Sequence, residues 1–228
     1  MKYIALDMDF FSGTNCMKAL KKEASRITED QISVIMLTEK TRQSIPDIFF
    51  QSSGMDYLVS DNGAEIRNVS GDQVLYRNYL SSKTTCALKH LLYKTKTVPE
   101  IQVNGKIYME RKDYRRLQSR SIKSESGSRQ IHPVYGAVQL LQLFEGKIER
   151  VRITSESNSS ISDLHSQLKK ALSFNEDKLV CHRNEMEIIP SGTNKANALE
   201  IIKSQLNISS RDLIPVPQSL MSVRTRCV

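Results

Sequence analysis

The first nine residues, Met-Lys-Tyr-Ile-Ala-Leu-Asp-Met-Asp, constrain this chain more than any other stretch. A short apolar run, Tyr3 to Leu6, delivers two carboxylates, Asp7 and Asp9, two positions apart. In an extended strand that spacing points both side chains the same way. Should the strand end here, the pair sits at its carboxyl end, where open α/β sheets place their ligands. Two like charges this close are costly unless a cation, a shared proton or bulk water relieves them. The same residues also suit an ordinary strand running into a polar turn, so the rest of the chain must decide.

At 228 residues the chain can bury a core without disulfides, as one large domain or two modest ones. Cys16, Cys86, Cys181 and Cys227 are scattered, with no Cys-x-x-Cys or Cys/His spacing of a zinc site. Free thiols in a reducing compartment account for them. No apolar run reaches the length of a membrane span. Asp7 and Asp9 interrupt the apolar segment at the N-terminus, which argues against a signal peptide. The expectation is a soluble, cytoplasmic protein.

The formal charge of +8 concentrates between about residues 80 and 155, where lysines and arginines far outnumber Glu100, Glu110, Asp113, Glu125, Glu145 and Glu149. Such a segment attracts anions, either phosphorylated metabolites or nucleic acid. It also suits a solvated basic surface. No RNA-binding or helix-turn-helix signature accompanies the charge, which makes nucleic acid the minor option.

Up to residue 80 the chain alternates strand and helix signals. Strands are expected at 3–7, Ile32–Leu37 and Tyr57–Ser60, helices at Asn15–Ser25 and from Thr41 to Gln51 across Pro46, and a hairpin over Ile66–Tyr76. Strands separated by helices of this length imply a parallel sheet with right-handed crossovers. From about Ser81 the texture becomes α+β. Thr85–Lys94 and Ile161–Leu172 read as amphipathic helices, and Asn104-Gly105 as the turn of a hairpin. Residues 119–130 read as a flexible loop, and Arg150–Ile153, Lys178–Cys181 and Glu185–Ile189 as strands. The opening texture returns with a helix that begins at Lys195 and closes at Asn207, then a short strand from Asp212 to Val216.

The strand ends of the α/β part carry Asp7 and Asp9, then Thr38, then Asp61-Asn62-Gly63, and Lys195 opens a helix after a Gly-containing loop. A carboxylate pair, a hydroxyl and a lysine converging on one sheet edge make a site for phosphoryl transfer. One carboxylate attacks phosphorus, the other manages the leaving-group proton, and the hydroxyl and lysine hold phosphate oxygens.

In this order of motifs the sequence resembles the haloacid dehalogenase superfamily, specifically the Cof-type phosphatases with a large inserted cap. Tyr3–Asp9 resembles the first motif, Val34–Thr38 the second, Tyr57–Ala64 the Ser-Asn-Gly-Ala stretch, and Glu187–Lys195 with Ala198-Leu199 the cap exit and third motif. The resemblance implies an α/β fold. A Rossmann-like parallel-sheet core would comprise residues 1–80 and 186–228, and an α+β cap would comprise 81–185. It implies Asp7 as the nucleophile and Asp9 as general acid/base, with Thr38 and Lys195 holding the substrate phosphate and Asn62 near it. Mg²⁺ would be held by the Asp7 carboxylate and the Asp9 carbonyl. The expected activity is Mg²⁺-dependent hydrolysis of a small phosphorylated metabolite, such as a sugar phosphate.

Three departures from the family pattern stand out. Phe10-Phe11 follow Asp9 where the family continues Gly-Thr, and Thr38 is followed by Glu39-Lys40 rather than Gly-Arg. After Ile214 the family's Gly-Asp-x-x-x-Asp acids are absent, and Asp212 precedes the final strand, at its wrong end. An incomplete Mg²⁺ site and impaired activity are the corresponding expectations, because a carboxylate attacking a phosphate dianion needs its repulsion cancelled. The alternative is a degenerate member that binds a phosphorylated ligand, or acts as a regulator, without turnover.

Overall fold

In a computed structural model, the described residues are 2–10, 32–45, 50, 55–120, 130–172 and 177–215. The helix expected at Asn15–Ser25 lies outside them, as do most of the loop at 119–130, residues 11–14 and the chain beyond 215. The chain divides into two compact units, one of residues 1–77 with 193–228 and one of residues 78–192.

The first unit is built on strands β1 (Lys2–Asp7), β2 (Ile32–Leu37), β3 (Tyr57–Ser60), β4 (Glu65–Asn68), β5 (Gln73–Arg77) and β12 (Leu213–Pro215). They form one sheet in the order β12-β1-β2-β3-β4-β5. The pairs β12–β1, β1–β2 and β2–β3 are parallel, whereas β3–β4 and β4–β5 are antiparallel. The parallel character ends where connections become too short for a crossover: Asp61–Ala64 joins β3 to β4, and a tight turn through Asp72 joins β4 to β5. That turn is held by Asn68, whose side-chain oxygen accepts from Gly71 N–H at 3.1 Å and from the Ser70 hydroxyl at 2.8 Å.

Both faces of the parallel strands are apolar, as a sheet covered on two sides requires. Ala5, Ile35, Leu37, Val59 and Ile66 point to one face and pack with Ala198, Ile202 and Ile208. Met36 and Leu58 point to the other and pack with Ile45 and Met55. The first face is covered by a helix over Lys195–Leu206. Asn194 caps it by accepting from Asn197 N–H at 2.7 Å, and Asn207 ends it in the left-handed conformation.

The second unit holds a sheet in the order β10-β11-β9-β6-β7-β8. Its strands are β6 (Val98–Val103), β7 (Lys106–Glu110), β8 (Ile131–Val134), β9 (Ile148–Thr154), β10 (Lys178–His182) and β11 (Glu185–Ile189). Helices α1 (Ser82–Leu92), α2 (Arg111–Arg120), α3 (Leu140–Leu143) and α4 (Asn158–Ala171) accompany it, and the Lys195–Leu206 helix of the first unit is α5. Leu88, Ile101, Val151, Leu164, Leu168 and Ile188 anchor its core. Asn104 and Gly105 both take positive φ, 50° and 72°, as a tight two-residue hairpin turn demands. Strand β11 pairs with β9 along its length, so residues 186–189, read from sequence as the return to the core, belong to the inserted sheet. The strand β8 and the basic helix α2 were not apparent in the sequence, the latter because only Leu117 is aliphatic along it.

Candidate active site

Strands β1, β2 and β3 run in the same direction, so their carboxyl ends share one edge. Asp7 is the last residue of β1 and pairs in register with Leu37, one residue before Thr38. Tyr3 and Ala5 pack on the face that α5 covers, and Asp7, at the same parity, continues that face. The first residue of α5 is Lys195.

Its ammonium meets both carboxylates. Lys195 Nζ lies 2.9 and 2.8 Å from the two Asp7 oxygens and 2.6 Å from Asp9 Oδ2. The three side chains are each only about a fifth exposed, at 19%, 19% and 21% for Lys195, Asp7 and Asp9. The like-charged pair is therefore relieved by a lysine brought from the far end of the sequence. The strand ends at Asp7, within the range expected for it, so Asp9 lies beyond the extended segment and the pair does not share a strand face. The chain turns into a short 3-10 segment at Met8–Phe10, and Asp9 N–H donates back to Asp7 Oδ1 at 3.1 Å.

Thr38 donates its hydroxyl to Asp9 Oδ1 at 2.7 Å, and Glu39 donates its backbone N–H to Asp9 Oδ2 at 2.7 Å. The Thr38 oxygen accepts in turn from Lys40 N–H at 3.1 Å, which fixes the hydroxyl's position. Glu39 is exposed, and its contribution to this cluster is an amide rather than its charge. No sequence signal could have marked it, because every residue but proline supplies the same amide.

Burial alone would raise the Asp9 carboxyl, but hydrogen bonds from Lys195, Thr38 and Glu39, with the charge of Lys195, outweigh it and hold the group below its ordinary value. Burial likewise pulls Lys195 down, and its bonds to Asp7 and Asp9 more than reverse this. In the resting cluster Lys195 is thus held as an ammonium and Asp9 as a carboxylate.

Asn62 arrives by its backbone. Its N–H donates to Thr38 O at 3.0 Å, and Asp61 N–H donates to Lys40 O at 2.9 Å. These bonds pin the Asp61–Gly63 turn to the end of β2, with Asp61 and Asn62 both at positive φ. Among the described residues, the donors to Asp7 and Asp9 do not include the Asn62 side chain. Gly63 sits against the start of α5, where a Cβ would lie 2.4 Å from Asn194 O. The two turns that carry Asn62 and Lys195 can approach this closely because Gly63 has no side chain.

The residues available for a cation are few. Among the described residues no group of three His, Cys, Asp or Glu side chains is arranged to hold a metal ion. Asp212 lies at the other end of β1, where it accepts from Lys2 Nζ at 2.7 Å, and its carbonyl accepts from Tyr3 N–H. Asp7 Oδ2 takes one donor, Lys195, and keeps a lone pair for a second partner. Mg²⁺ needs only one or two protein carboxylates when phosphate and water complete its shell, so this donor set fits it sparingly.

A family model for haloacid dehalogenase-like hydrolases matches residues 4–216, and the chain belongs to that family. No curated protein matches it. Among solved structures, a haloacid dehalogenase-like hydrolase from Bacteroides thetaiotaomicron superposes with a TM-score of 0.72 at 15% identity, covering 95% of this chain and 81% of the other. One from B. subtilis gives 0.63 at 18%, covering 95% and 83%. A sugar phosphatase of subclass IIB of the same superfamily gives 0.63 at 12%, covering 94% and 80%. At such identities the likeness is one of fold, and it bears out the α/β architecture read from the motifs.

Proposed function

We propose that the chain is a phosphomonoester hydrolase for a small phosphorylated metabolite, such as a sugar phosphate. The observation that carries this reading is the Lys195 ammonium bridging Asp7 and Asp9 beside the Thr38 hydroxyl and the Glu39 N–H. Two carboxylates and three convergent donors at a sheet edge suit attack on phosphorus better than binding of a neutral ligand.

In the proposed reaction an Asp7 oxygen attacks phosphorus, a P–O(Asp7) bond forms and the ester P–O bond breaks. Asp9, a carboxylate at rest, would take up a proton from solvent as substrate binds and pass it to the departing alkoxide, becoming a carboxylate again. It then takes a proton from water as that water attacks phosphorus, releasing phosphate and restoring the Asp7 carboxylate. Thr38, Glu39 N–H and Lys195 hold the equatorial oxygens, and Asn62 lies close to them. The Asp7 carboxylate and Asp9 carbonyl are the proposed Mg²⁺ ligands, and the cation would offset phosphate charge. The insert, read from sequence as 81–185, is proposed to act as a substrate-selecting cap. Cytoplasmic residence belongs to the same proposal, with Cys86 and Cys181 as free thiols.

A second reading, a phospho-ligand binder without turnover, is favoured by the position of Asp212 at the other end of β1, with no third acid grouped with Asp7 and Asp9 to hold a metal among the described residues. Phosphate release from a panel of phosphomonoesters separates the two. Under the first reading release requires Mg²⁺, stops with EDTA and is lost in Asp7→Asn. Ligand-induced thermal stabilisation with no release by the wild type would establish the second.

A further inference from the structure

We infer that the Asp9 carboxylate occupies the oxyanion cradle of this protein at rest, so that substrate phosphate must displace it. The inference rests on the phosphatase reading above, and deepens it.

The argument is one of donors and protons. Asp9 receives the Thr38 hydroxyl, the Glu39 N–H and the Lys195 ammonium at 2.7, 2.7 and 2.6 Å. These distances are those of charge-assisted bonds to an anion. The three donors come from two distant segments, the end of β2 and the start of α5, and converge on one carboxylate. They are also the groups assigned to a phosphate. Thr38 has one hydroxyl proton and Glu39 one amide proton, so neither can serve Asp9 and a phosphate at full strength together. The backbone allows the exchange. Asp9 N–H is anchored to Asp7 Oδ1, so rotation about the Asp9 side-chain bonds would empty the cradle without moving the turn.

Vacating the cradle would also free Asp9 for the leaving group. In its resting position its carboxylate accepts three donors, one on Oδ1 and two on Oδ2, which hold it on the cradle and away from a leaving group. Phosphate entry and assembly of the acid would then be a single event, and a ligand without an oxyanion would leave Asp9 in place.

The test is calorimetric titration of inorganic phosphate into the full chain, with and without Mg²⁺, for wild type, Asp9→Ala, Asp9→Asn, Asp7→Asn and Thr38→Ala. A competitor that fills the cradle for 90–99% of the time weakens apparent affinity about 10- to 100-fold, which Asp9→Ala removes. Asp9→Asn loses the charge and keeps one oxygen, which can accept from Thr38 or from Glu39 but not from both, since the two donate to different carboxylate oxygens, so its gain is smaller than that of Asp9→Ala. Equal affinity in wild type and Asp9→Ala overturns the inference. So does an equal gain in Asp7→Asn and Asp9→Ala, which would reduce the effect to relief of charge. Absence of phosphate binding in every variant overturns the phosphate-site reading as well, whereas binding that weakens in Thr38→Ala upholds that reading. Thermal melts of each variant confirm that the fold is retained.

Discussion

Lys195 Nζ lies 2.8 Å from Asp7 Oδ2 across 188 positions of sequence. Three features hold that contact: the parity of β1, which turns Asp7 toward α5; the Asn194 cap, which starts α5 at Lys195; and Gly63, which lets the turn after β3 approach the cap. Each can be broken separately.

Replacing Lys195 by Met leaves two carboxylates facing each other without a counter-ion. Loss of hydrogen bonds to charged groups predicts destabilisation of about 2 kcal/mol, and loss of a transition-state cation a fall in phosphate release of at least about 100-fold. Adding Asp9→Asn to Lys195→Met should recover part of the stability, though not the activity. Asp9 is held below 3.8, so its contribution is present above that pH and is lost as pH falls through the folded value. Lys195 is held above 10.5, so its contribution is present below that pH and is lost as pH rises through the folded value. Between pH 5 and 9 both are charged, and the difference in urea midpoint between wild type and Lys195→Met should stay constant.

Gly63→Ala places a Cβ 2.4 Å from Asn194 O at a φ of +101°. Backbone cannot yield as a flexible side chain would. Strain and displacement of α5 together predict a loss of about 2–3 kcal/mol in denaturant unfolding. Activity should fall further than stability alone explains, because the start of α5 carries Lys195.

Asn194→Ala removes the acceptor for Asn197 N–H at the first turn of α5. The expected cost is about 1 kcal/mol, with phosphate release reduced rather than abolished. Asn194→Ser or Asn194→Asp should retain most of the stability. A loss in these capping variants as large as in alanine would show that the cap is not the reason.

In the second unit, burial pushes the Glu100 carboxyl up and Glu185 and Glu187 add to this, while Arg152 pulls it down. A raised carboxyl contributes stability below its unfolded value near 4.5, and this is lost as pH rises through the folded value. Glu100→Gln should therefore melt progressively higher relative to wild type as pH is raised from 4.5 to 7. A constant difference across that range would refute the assignment.

Much of the architecture is legible without coordinates. The strand at Ile32–Leu37 is apolar on both faces because it is buried on both, and Asn104-Gly105 announces its hairpin through the positive φ both residues tolerate. The helix α2 is hidden because its charges mask any apolar period, and it packs mainly through its first turn around the buried Asp113. For the site, Asp7, Asp9, Thr38 and Lys195 could be named from sequence, since strand ends and the start of a helix are where such residues collect.

What the sequence by itself determined is where candidate residues collect: local patterning ends one parallel strand at Asp7 and two others just before Thr38 and Asp61, and a capped helix opens at Lys195. Only the tertiary structure decided how they meet. Asp9 leaves the strand for a turn, and the lone hydroxyl proton of Thr38, the amide of Glu39 and the ammonium of Lys195 all go to its carboxylate. The physical reason is that hydrogen bonding depends on position within a few tenths of an ångström and on donors that carry no residue identity. Periodicity along a chain records neither.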